Sequence, residues 1–489
     1  MTVFVNGHSF HYDMECLCRV FFPREKIEIV KDAFDESKKS YINTLMEEKE
    51  NVYDLSVLAK IDSKECIKEK SVLKGKENVL KECELQLATA LYEVLSDLTG
   101  YKPPWGLLTG VRPAKLMLKL LDELGDEGAL KYFEESLKVG SEKALLAREV
   151  AVKEKKIING LNKKGFSLYV SIPFCPSRCG YCSFVSHSIS NSKARKSVDE
   201  YMEKLLEELK YIASISKKLD LKAQTVYFGG GTPTSLNNQQ LQNILSLIES
   251  EFDLSGVVEY CVEAGRPDTV DFEKLKTLKK YGVNRISINP QTFNDRVLEN
   301  IKRGHDAQKA VEAYKMAQSI GFDTVNMDLI AGLPGDNLES FKYTVDKTLE
   351  LNPDNITVHT LALKRASDLT HDDFGLLQAQ NVAKMLEYVS DSLRPAGYAP
   401  YYMYRQSFSL DNLENVGWSK PGHECLYNVI MMEECQSVFA AGAGAVTKLT
   451  WGDPSFLTRA FNFKYPYEYI SRFEEILKKK DEIFNFFTS

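Results

Sequence analysis

Short stretches rich in β-branched and apolar residues alternate with longer helical patterns from residue 166 onward. Six of the short stretches are predicted to be strands, at residues 167–172, 225–228, 258–263, 285–288, 324–330 and 355–361. The stretches between them repeat apolar residues at helical spacing. This alternation, sustained over about 200 residues, predicts an α/β fold with a parallel sheet and right-handed crossovers. Six repeats rather than eight favour an incomplete barrel or an open doubly wound sheet.

The flanking segments follow other patterns. Residues 1–160 combine strand-like runs (3–5, 16–22 and 52–59) with helical patterns (79–98, 115–124 and 142–158), so we expect an N-terminal α+β accessory domain. The β/α core is expected at residues 165–369. Residues 370–489 contain two helical patterns, a Tyr-rich stretch and a Gly/Ala turn. They are expected to form a mainly helical C-terminal domain that closes one side of the sheet.

The composition excludes several classes of protein. Of 489 residues, 44% are hydrophobic and 27% are charged, which excludes disordered, collagen-like and coiled-coil chains. The net charge is −7 and no basic block occurs, so we expect no nucleic-acid partner. The first residues lack the pattern of a signal peptide, and no apolar run approaches the ~20 residues of a membrane span. We therefore expect a soluble, cytoplasmic protein that does not associate with membranes.

The cysteine spacing gives the first indication of chemistry. Ten cysteines are too few for a disulfide scaffold in a chain of this length. Three of them, Cys175, Cys179 and Cys182, directly follow the first predicted strand and can converge on one soft metal centre. A structural zinc site needs four ligands, and no second Cys or His pair lies nearby at suitable spacing. An iron–sulfur cube held by three cysteines would leave one iron open to bind a ligand.

The CxxxCxxC motif after the first strand resembles the radical S-adenosylmethionine (SAM) superfamily. The segment YxxIPFC that starts at Tyr169, GGGTPT at 229–234, and residues 284–294 with Arg303 resemble the oxygen-independent coproporphyrinogen III oxidases and their relatives. The long N-terminal segment, EAGRPD at 263–268 and YMYRQ at 402–406 resemble the HemZ-type branch, named coproporphyrinogen dehydrogenase. The family resemblance covers residues 166–365, and the flanks resemble that branch alone.

This resemblance implies a partial (β/α)6 radical SAM barrel with a 4Fe-4S cluster on Cys175, Cys179 and Cys182. The open iron would be chelated by the amino and carboxylate groups of SAM, and cluster reduction would split SAM into methionine and a 5′-deoxyadenosyl radical. The implied reaction is anaerobic oxidative decarboxylation of two propionates of coproporphyrinogen III to vinyls, which gives protoporphyrinogen IX in haem biosynthesis. The implied reductant is an electron donor such as flavodoxin or ferredoxin. Two alternatives stay open, a haem-binding chaperone and a radical enzyme for another anionic substrate.

The same resemblance implies the cofactor-binding residues. Tyr169 would contact the SAM bound at the cluster, and Tyr181 is associated with a possible second SAM molecule. The glycine run Gly229, Gly230 and Gly231 exposes backbone groups to a charged ligand. Glu263, at the end of the third strand, can accept both hydroxyl hydrogens of a ribose. The second SAM site would be lined by four further positions, namely Gln291, Arg303, Asp328 and Ala362.

Several of these residues have a structural alternative. Asp328 lies in an otherwise apolar strand, where an unpaired acid would be costly, so an ion pair with Arg303 is the alternative to cofactor binding. Phe184 occupies a position where the family's oxidases often have a further cysteine, which leaves the chemistry of the second site open. The histidines near the strand ends, His305 and His359, are expected to be structural.

A substrate with several carboxylates needs a local positive pocket in a chain of net charge −7. We predict Arg266 and Arg405 as propionate anchors, because a guanidinium pairs with a carboxylate through two parallel hydrogen bonds. Tyr402 and Tyr404 would add aromatic contact to the macrocycle. The alternative for Arg405 is that it only ties two domains together. A haem chaperone would instead need a soft axial ligand, for which His359 and Cys425 are candidates.

Overall fold

The computed structural model describes residues 1–75, 77–162, 164–184, 187–189, 192–362, 376–406, 409–452 and 456–488, without the side chains of 192–196 and 376–380. By its internal contacts the chain divides into two units. The first comprises Met1–Glu149 with Arg405–Leu413, and the second comprises Val150–Tyr404 with Glu414–Ser489. The described residues beyond 370 thus belong mostly to the same unit as the β/α repeats. The expected boundary at 369/370 lies outside the described residues.

The first unit is built on a five-stranded sheet with the order β2-β1-β3-β4-β5. Its strands are β1 (Thr2–Asn6), β2 (Glu28–Lys31), β3 (Tyr41–Glu48), β4 (Val52–Ile61) and β5 (Lys64–Leu73). Strand β1 pairs in parallel with both neighbours, whereas β3, β4 and β5 form an antiparallel meander. The helices are α1 (His11–Phe21), α2 (Val79–Thr99), α3 (Pro113–Lys131) and the first half of α4 (Ser141–Asn159). The expected α+β character of this region is confirmed.

The strand predicted at residues 16–22 is wrong, because these residues belong mostly to helix α1. Their β-branched and aromatic content resembles that of a strand. Met14, Leu17 and Cys18, however, are buried at the i, i+3, i+4 spacing of one helical face. Strand β5 was not predicted, because its charged sequence KECIKEK is mostly exposed and does not resemble a strand. In both cases the packing partner decides the structure, and it lies outside the segment.

The second unit holds one 11-stranded sheet, with the order β14-β15-β13-β12-β11-β10-β9-β6-β16-β17-β18. The parallel strands of the repeats are β6 (Gly165–Ile172), β9 (Lys222–Gly230), β10 (Glu259–Glu263), β11 (Arg285–Ser287), β12 (Thr324–Ala331) and β13 (Asn355–Thr360). A short pair outside this sheet is formed by β7 (Phe174–Cys175) and β8 (His187–Ser188). The C-terminal part adds β14 (Ala399–Arg405), β15 (Glu414–Ser419), β16 (Val438–Ala441), β17 (Val446–Leu449) and β18 (Thr458–Phe461).

Helices follow the strands of the repeats as the alternation predicts. They are α5 (Ser192–Lys218), α6 (Asn238–Glu251), α7 (Phe272–Lys280), α8 (Asp295–Asn300), α9 (Ala307–Ile320) and α10 (Leu338–Leu351). The C-terminal helices are α11 (Leu376–Leu393), α12 (Leu426–Glu433), α13 (Pro466–Ser471) and α14 (Phe473–Thr488). Most of the regular structure there is helical, as expected. Within the described ranges, no helix is both long and apolar enough to cross a membrane.

The six predicted strands are parallel neighbours, and each repeat adds its strand beside the previous one. Their carboxyl ends therefore meet at one edge of the sheet. Strand β16 joins the other side of β6 in parallel, and β15 pairs antiparallel with β13. Asn or Asp caps begin four helices that follow strand-end loops, at Asn237, Asp271, Asn294 and Asn337. Each side chain accepts a first-turn N–H and so fixes where the loop ends.

Candidate functional site

The three clustered cysteines lie in residues 175–182, called here the cysteine loop, which follow β6 and begin at the end of the short strand β7. Cys175 and Cys179 are buried, Cys182 is half-buried, and none of the three forms a disulfide. The backbone N–H of Thr232, after β9, donates to the Phe174 carbonyl at 2.8 Å. The Thr232 hydroxyl lies 3.4 Å from Cys175 Sγ. The cysteine loop is thus attached to the loop of the neighbouring strand.

Two guanidinium groups converge on one of these thiols. Arg266 and Arg303 donate to Cys179 Sγ at 3.4 and 3.6 Å. Burial raises the pKa of Cys182, and the neighbouring Cys175 and Cys179 raise it further. Three cysteines in one short segment, one of them beside two cations, have the chemistry that an iron–sulfur cluster needs, because its thiolates and sulfides are negatively charged. Among the described residues, no three His, Cys, Asp or Glu side chains form a ready-made site for a metal ion.

The glycine run lies directly beside the cysteine loop. Gly229 and Gly230 are in register with the last residues of β6, and the Gly231 N–H donates to the Ile172 carbonyl at 2.8 Å. A Cβ at Gly231 would lie 2.6 Å from the Phe174 carbonyl oxygen, and Gly230 has a φ of +106°. Only glycine allows this approach of the two backbones. The run therefore holds the cysteine loop close to the end of β9.

Glu263 ends β10 beside this run. Tyr227 donates its hydroxyl hydrogen to Glu263 Oε1 at 2.5 Å. A Cβ at Gly229 would lie 3.3 Å from the same oxygen, so the carboxyl group packs against bare backbone. Burial raises the pKa of Glu263 to about 7, although the hydrogen bond from Tyr227 opposes that shift. A carboxylate in this position can accept hydroxyl hydrogens from a ligand that lies across the glycine run.

Three tyrosine rings are stacked next to Glu263. The rings of Tyr227 and Tyr427 are 4.2 Å apart between centroids, and Tyr169 stacks on Tyr427 at 6.0 Å. Tyr169 and Tyr227 come from adjacent strands, whereas Tyr427 comes from α12. The Tyr427 hydroxyl is buried and has no hydrogen-bond partner among the described residues. The stack makes one wall of the candidate site apolar.

A second group of polar residues surrounds Arg303. Its guanidinium donates to the Tyr181 hydroxyl at 2.8 Å and to the carbonyls of Gly265 and Asn289 at 2.5 and 2.8 Å. Gln291 follows β11 with a φ of +68° and is buried. Its side-chain Oε1 has no hydrogen-bond partner in the described structure. A strained backbone and an orphaned buried acceptor are features that ligand sites often show.

Asp328 contacts Asn326 and His359. The structural alternative, an ion pair with Arg303, is not what the structure has: Asn326 donates to Asp328 at 2.8 Å, and His359 Nε2 lies 3.8 Å away. Burial alone would raise the pKa of Asp328, but the nearby His359 imidazole and the hydrogen bond from Asn326 outweigh it and lower this pKa. The Tyr404 hydroxyl lies 3.4 Å from the other ring nitrogen of His359. His359 thus connects Asp328 to a residue of the Tyr-rich stretch.

Arg266 does not extend toward a substrate. Its Nε and Nη2 form a bidentate pair with Asp268 at 2.8 and 2.7 Å. Its Nη1 donates to the Ser177 hydroxyl at 3.1 Å and to Cys179 Sγ. The side chain is only 3% exposed. These contacts contradict the predicted role as a propionate anchor, because all three nitrogens already bind groups of the protein.

Arg405 is also engaged, within the first unit. It donates to the carbonyls of Leu108 and Asn412 at 2.6 and 3.0 Å, and its guanidinium lies 5.4 Å from the centre of the Trp105 ring. It is 2% exposed. The predicted role as a propionate anchor is contradicted here too, since the guanidinium stabilises a loop of its own unit.

The other residues predicted from the sequence have mixed surroundings. Tyr402 is buried, and its ring packs directly over Gly417 of β15. Tyr404 is half-buried and stacks on Tyr402 at 6.2 Å. Ala362 is half-buried and follows β13. Tyr402 is therefore a core residue, whereas Tyr404 remains a candidate for ligand contact.

Sequence reasoning missed Tyr227 and Tyr427, and it did not connect His359 with Asp328. Tyr227 precedes Gly229 by two residues, so strand alternation alone could have placed both on one face. His359 was interpreted as structural, although it lies directly beside Asp328. Tyr427 gave no local signal, since only the packing of α12 brings it to the strand ends.

Comparisons with known proteins show which family this chain is similar to. The family model described as the Radical SAM superfamily matches residues 169–348. An oxygen-independent coproporphyrinogen-III oxidase-like protein, HemZ of Bacillus subtilis (strain 168), is 37% identical over 406 residues, which cover 82% of this chain and 81% of that protein. The haem chaperone HemW of the same organism is 32% identical over 288 residues, which cover 57% of this chain and 70% of the chaperone.

A solved structure supports the fold. Coproporphyrinogen III oxidase (HemN) from Escherichia coli, described as a radical SAM enzyme, superposes with a TM-score of 0.52 at 24% identity. The match covers 67% of this chain and 73% of that one. The family-model match over residues 169–348 includes the cysteine loop, the glycine run and Glu263. The chain therefore belongs to the radical SAM superfamily and, within it, to the oxygen-independent coproporphyrinogen III oxidase-like family.

Proposed function

We propose that this protein is a radical SAM enzyme that oxidatively decarboxylates two propionates of coproporphyrinogen III and so forms protoporphyrinogen IX. One observation carries the proposal: the cysteine loop, the glycine run and Glu263 meet at one edge of the sheet. That edge is where β/α proteins bind ligands. The substrate is proposed from the HemZ relative, whose name describes an oxidase-like protein.

The residues divide into two proposed sets. Cys175, Cys179 and Cys182 would hold a 4Fe-4S cluster, and Tyr169, the glycine run and Glu263 would hold SAM. A second SAM molecule would lie at the group around Arg303, with Tyr181, Gln291, Asp328 and Ala362. When bound, cluster and SAM would supply the carbon-centred radical that takes one hydrogen atom from each propionate chain; loss of CO2 would then leave one electron for an external electron acceptor.

The chain's own residues bind and orient the ligands. Ionised Glu263 accepts the ribose hydroxyl hydrogens, while Tyr227 fixes the direction of the carboxylate. The tyrosine stack excludes water from that side of the site, which strengthens every charged contact inside it. Gln291, with its free Oε1, offers an acceptor to the second ligand.

The substrate would lie next to His359 and Tyr404. Both are half-buried, and Tyr404 presents an aromatic face beside the His359 ring. We propose that these two side chains contact the macrocycle, because Arg266 and Arg405 are occupied elsewhere. An electron donor such as flavodoxin or ferredoxin would supply the reducing electron.

A haem chaperone is the second candidate, because several relatives carry that name, among them the protein that is 32% identical. The structure reduces the number of candidate residues for its axial haem ligand. Cys425 is 3% exposed and donates to Glu259 at 3.4 Å, so it is not available to a haem. His359 is the remaining candidate of the two.

Anaerobic turnover distinguishes these functions. Protein reconstituted with iron and sulfide is incubated with coproporphyrinogen III, SAM and dithionite, and porphyrins are separated by fluorescence-detected chromatography. We expect SAM-dependent protoporphyrin, none from Cys179→Ala, and parent-like yield from the control Cys66→Ala. Stoichiometric retention of added haem, lost in His359→Ala, together with no consumption of the porphyrinogen would instead establish a chaperone.

A further inference from the structure

Arg266 is embedded between the cysteine loop and the loop after β10. Its bidentate pair with Asp268 fixes the plane of the guanidinium. The third nitrogen, Nη1, donates to the hydroxyl and the carbonyl oxygen of Ser177 and to Cys179 Sγ at 3.4 Å. One planar group thus joins an acid on one loop to a cysteine on another. A lysine could not make these contacts together, because its ammonium is a single point charge.

A third loop makes room for this pair. A Cβ at Gly304 would lie 2.6 Å from Arg266 Nη2 and 3.1 Å from Asp268 Oδ2. The preceding residue, Arg303, is the second donor to Cys179. Two guanidiniums from separate loops therefore meet at one sulfur, and Asp268 compensates the charge of only one of them.

Hydrogen bonds and positive charge at a cluster sulfur stabilise the reduced cluster, because reduction adds an electron to an already negative centre. Cys179 carries both kinds of interaction from Arg266. The same loop begins at Glu263, so one short segment contacts the cysteine loop and the glycine-run side of the site.

We propose that Arg266 is a positioning residue that holds Cys179 and raises the reduction potential of the cluster, with Asp268 limiting that rise. The inference rests on the proposed function, because it requires the cluster on Cys175, Cys179 and Cys182. Arg266 contacts one cluster ligand and not the substrate, so its effect appears in the cluster itself.

The test measures the cluster without any turnover. Full-length parent, Arg266→Gln, Arg266→Lys, Asp268→Asn and the control Arg296→Gln are reconstituted anaerobically. Arg296 is exposed on α8 and serves as an arginine away from the cysteine loop. Iron and sulfide are quantified, and the potential is found by redox titration monitored by electron paramagnetic resonance.

We expect Arg266→Gln to lower the equilibrium constant for reduction roughly tenfold, equivalent to about 59 mV for a one-electron couple. Arg266→Lys should fall between Gln and parent, and Asp268→Asn should shift the potential in the opposite, positive direction. If Arg266 had only a structural role, Arg266→Gln and Asp268→Asn would both lower the cluster content, and their reduction potentials would not shift in opposite directions.

Two outcomes separate the inference from the proposed function. A parent protein that assembles no four-iron cluster would refute the proposed function. A parent with a cluster, and Arg266→Gln and Asp268→Asn with parent potentials, would overturn this inference alone. Should Arg266→Gln fail to assemble a cluster, the sign of the Asp268→Asn shift still decides, because that variant keeps the guanidinium.

Discussion

At the scale of single residues, Glu263 is the clearest example of an environment that prepares a side chain for binding. Its carboxyl group is held by Tyr227 and lies close to Asp328 and His359. Burial raises its pKa to about 7, so it titrates near neutral pH. A ligand that donates two hydroxyl hydrogens would favour the ionised form. Binding and protonation at this residue should therefore be coupled.

SAM affinity should depend on this residue and on pH. In the parent we expect binding roughly tenfold weaker at pH 6 than at pH 8, because a group of pKa about 7 is mostly protonated at pH 6. Glu263→Gln should weaken binding at pH 8 by about 1–3 kcal/mol and remove its part of the pH dependence. Calorimetry of the cluster-loaded proteins measures both. Exposed Glu273→Gln is the control, and unchanged affinity in Glu263→Gln would remove Glu263 from the site.

Stability should show the same titration with the opposite trend. The folded pKa of Glu263 is raised from 4.5 to about 7, so its stabilising contribution is complete below pH 4.5 and is lost as pH rises toward 7. The free energy of unfolding of Glu263→Gln, relative to that of the parent, should therefore rise by roughly 3 kcal/mol between pH 4.5 and pH 8. Urea unfolding of SAM-free protein at both pH values gives this difference. A constant difference between the two proteins would contradict the raised pKa.

At the scale of elements, the strand ends act together because neighbouring strands are parallel and in register. Gly231 lets the loop after β9 bond to the residues that lead into the cysteine loop. The position of the cysteines therefore depends on a residue of the neighbouring strand's loop. Asn237 then caps α6 and ends that loop.

Gly231→Ala tests this dependence. The new Cβ would lie 2.6 Å from a backbone carbonyl of Phe174, which cannot move without shifting Cys175. We expect a loss of roughly 1–3 kcal/mol in unfolding free energy, typical of overpacking, and reduced iron content after reconstitution. Gly110→Ala, at a glycine with open space around it, is the matched control. Parent-like iron content in Gly231→Ala would show that the cysteine loop tolerates the shift.

At the scale of the second unit, the C-terminal residues complete the sheet and are held by a buried ion pair. Lys480 of α14 and Glu208 of α5 lie 3.1 Å apart, and both are 0% exposed. Glu208 also accepts hydrogen bonds from Tyr469 and from the Gly442 N–H that follows β16. The last helix, the first helix of the repeats and an added strand therefore share one polar network.

Removing the lysine should destabilise the whole unit. Lys480→Met leaves Glu208 buried without its cation, for which a loss of about 3–5 kcal/mol is expected. Lys478→Met, exposed on the same helix, should change stability little. Urea unfolding followed by near-ultraviolet circular dichroism measures both. Equal stability of the two variants would mean that α14 does not unfold cooperatively with the β/α repeats.

Much of the central fold follows from local pattern. All six strands of the repeats and their helices occur where the alternation predicts them, because each repeat's apolar face is recorded in its own sequence. Strands β14–β18 were not predicted, and residues 16–22 were assigned to the wrong structure. These segments obtain their conformation from distant partners. Strand β16, for example, pairs with β6, about 270 residues earlier in the chain.

The candidate site divides in the same way. The sequence by itself determined the cysteine triplet, the glycine run and Glu263, because each follows a strand and parallel strands end at one edge. Only the tertiary structure decided what the charged side chains do. It paired Arg266 with Asp268 and Cys179, committed Arg405 to its own unit, and placed His359 beside Asp328. A buried charge takes whichever partner the fold brings within hydrogen-bond distance, and no local pattern records that partner.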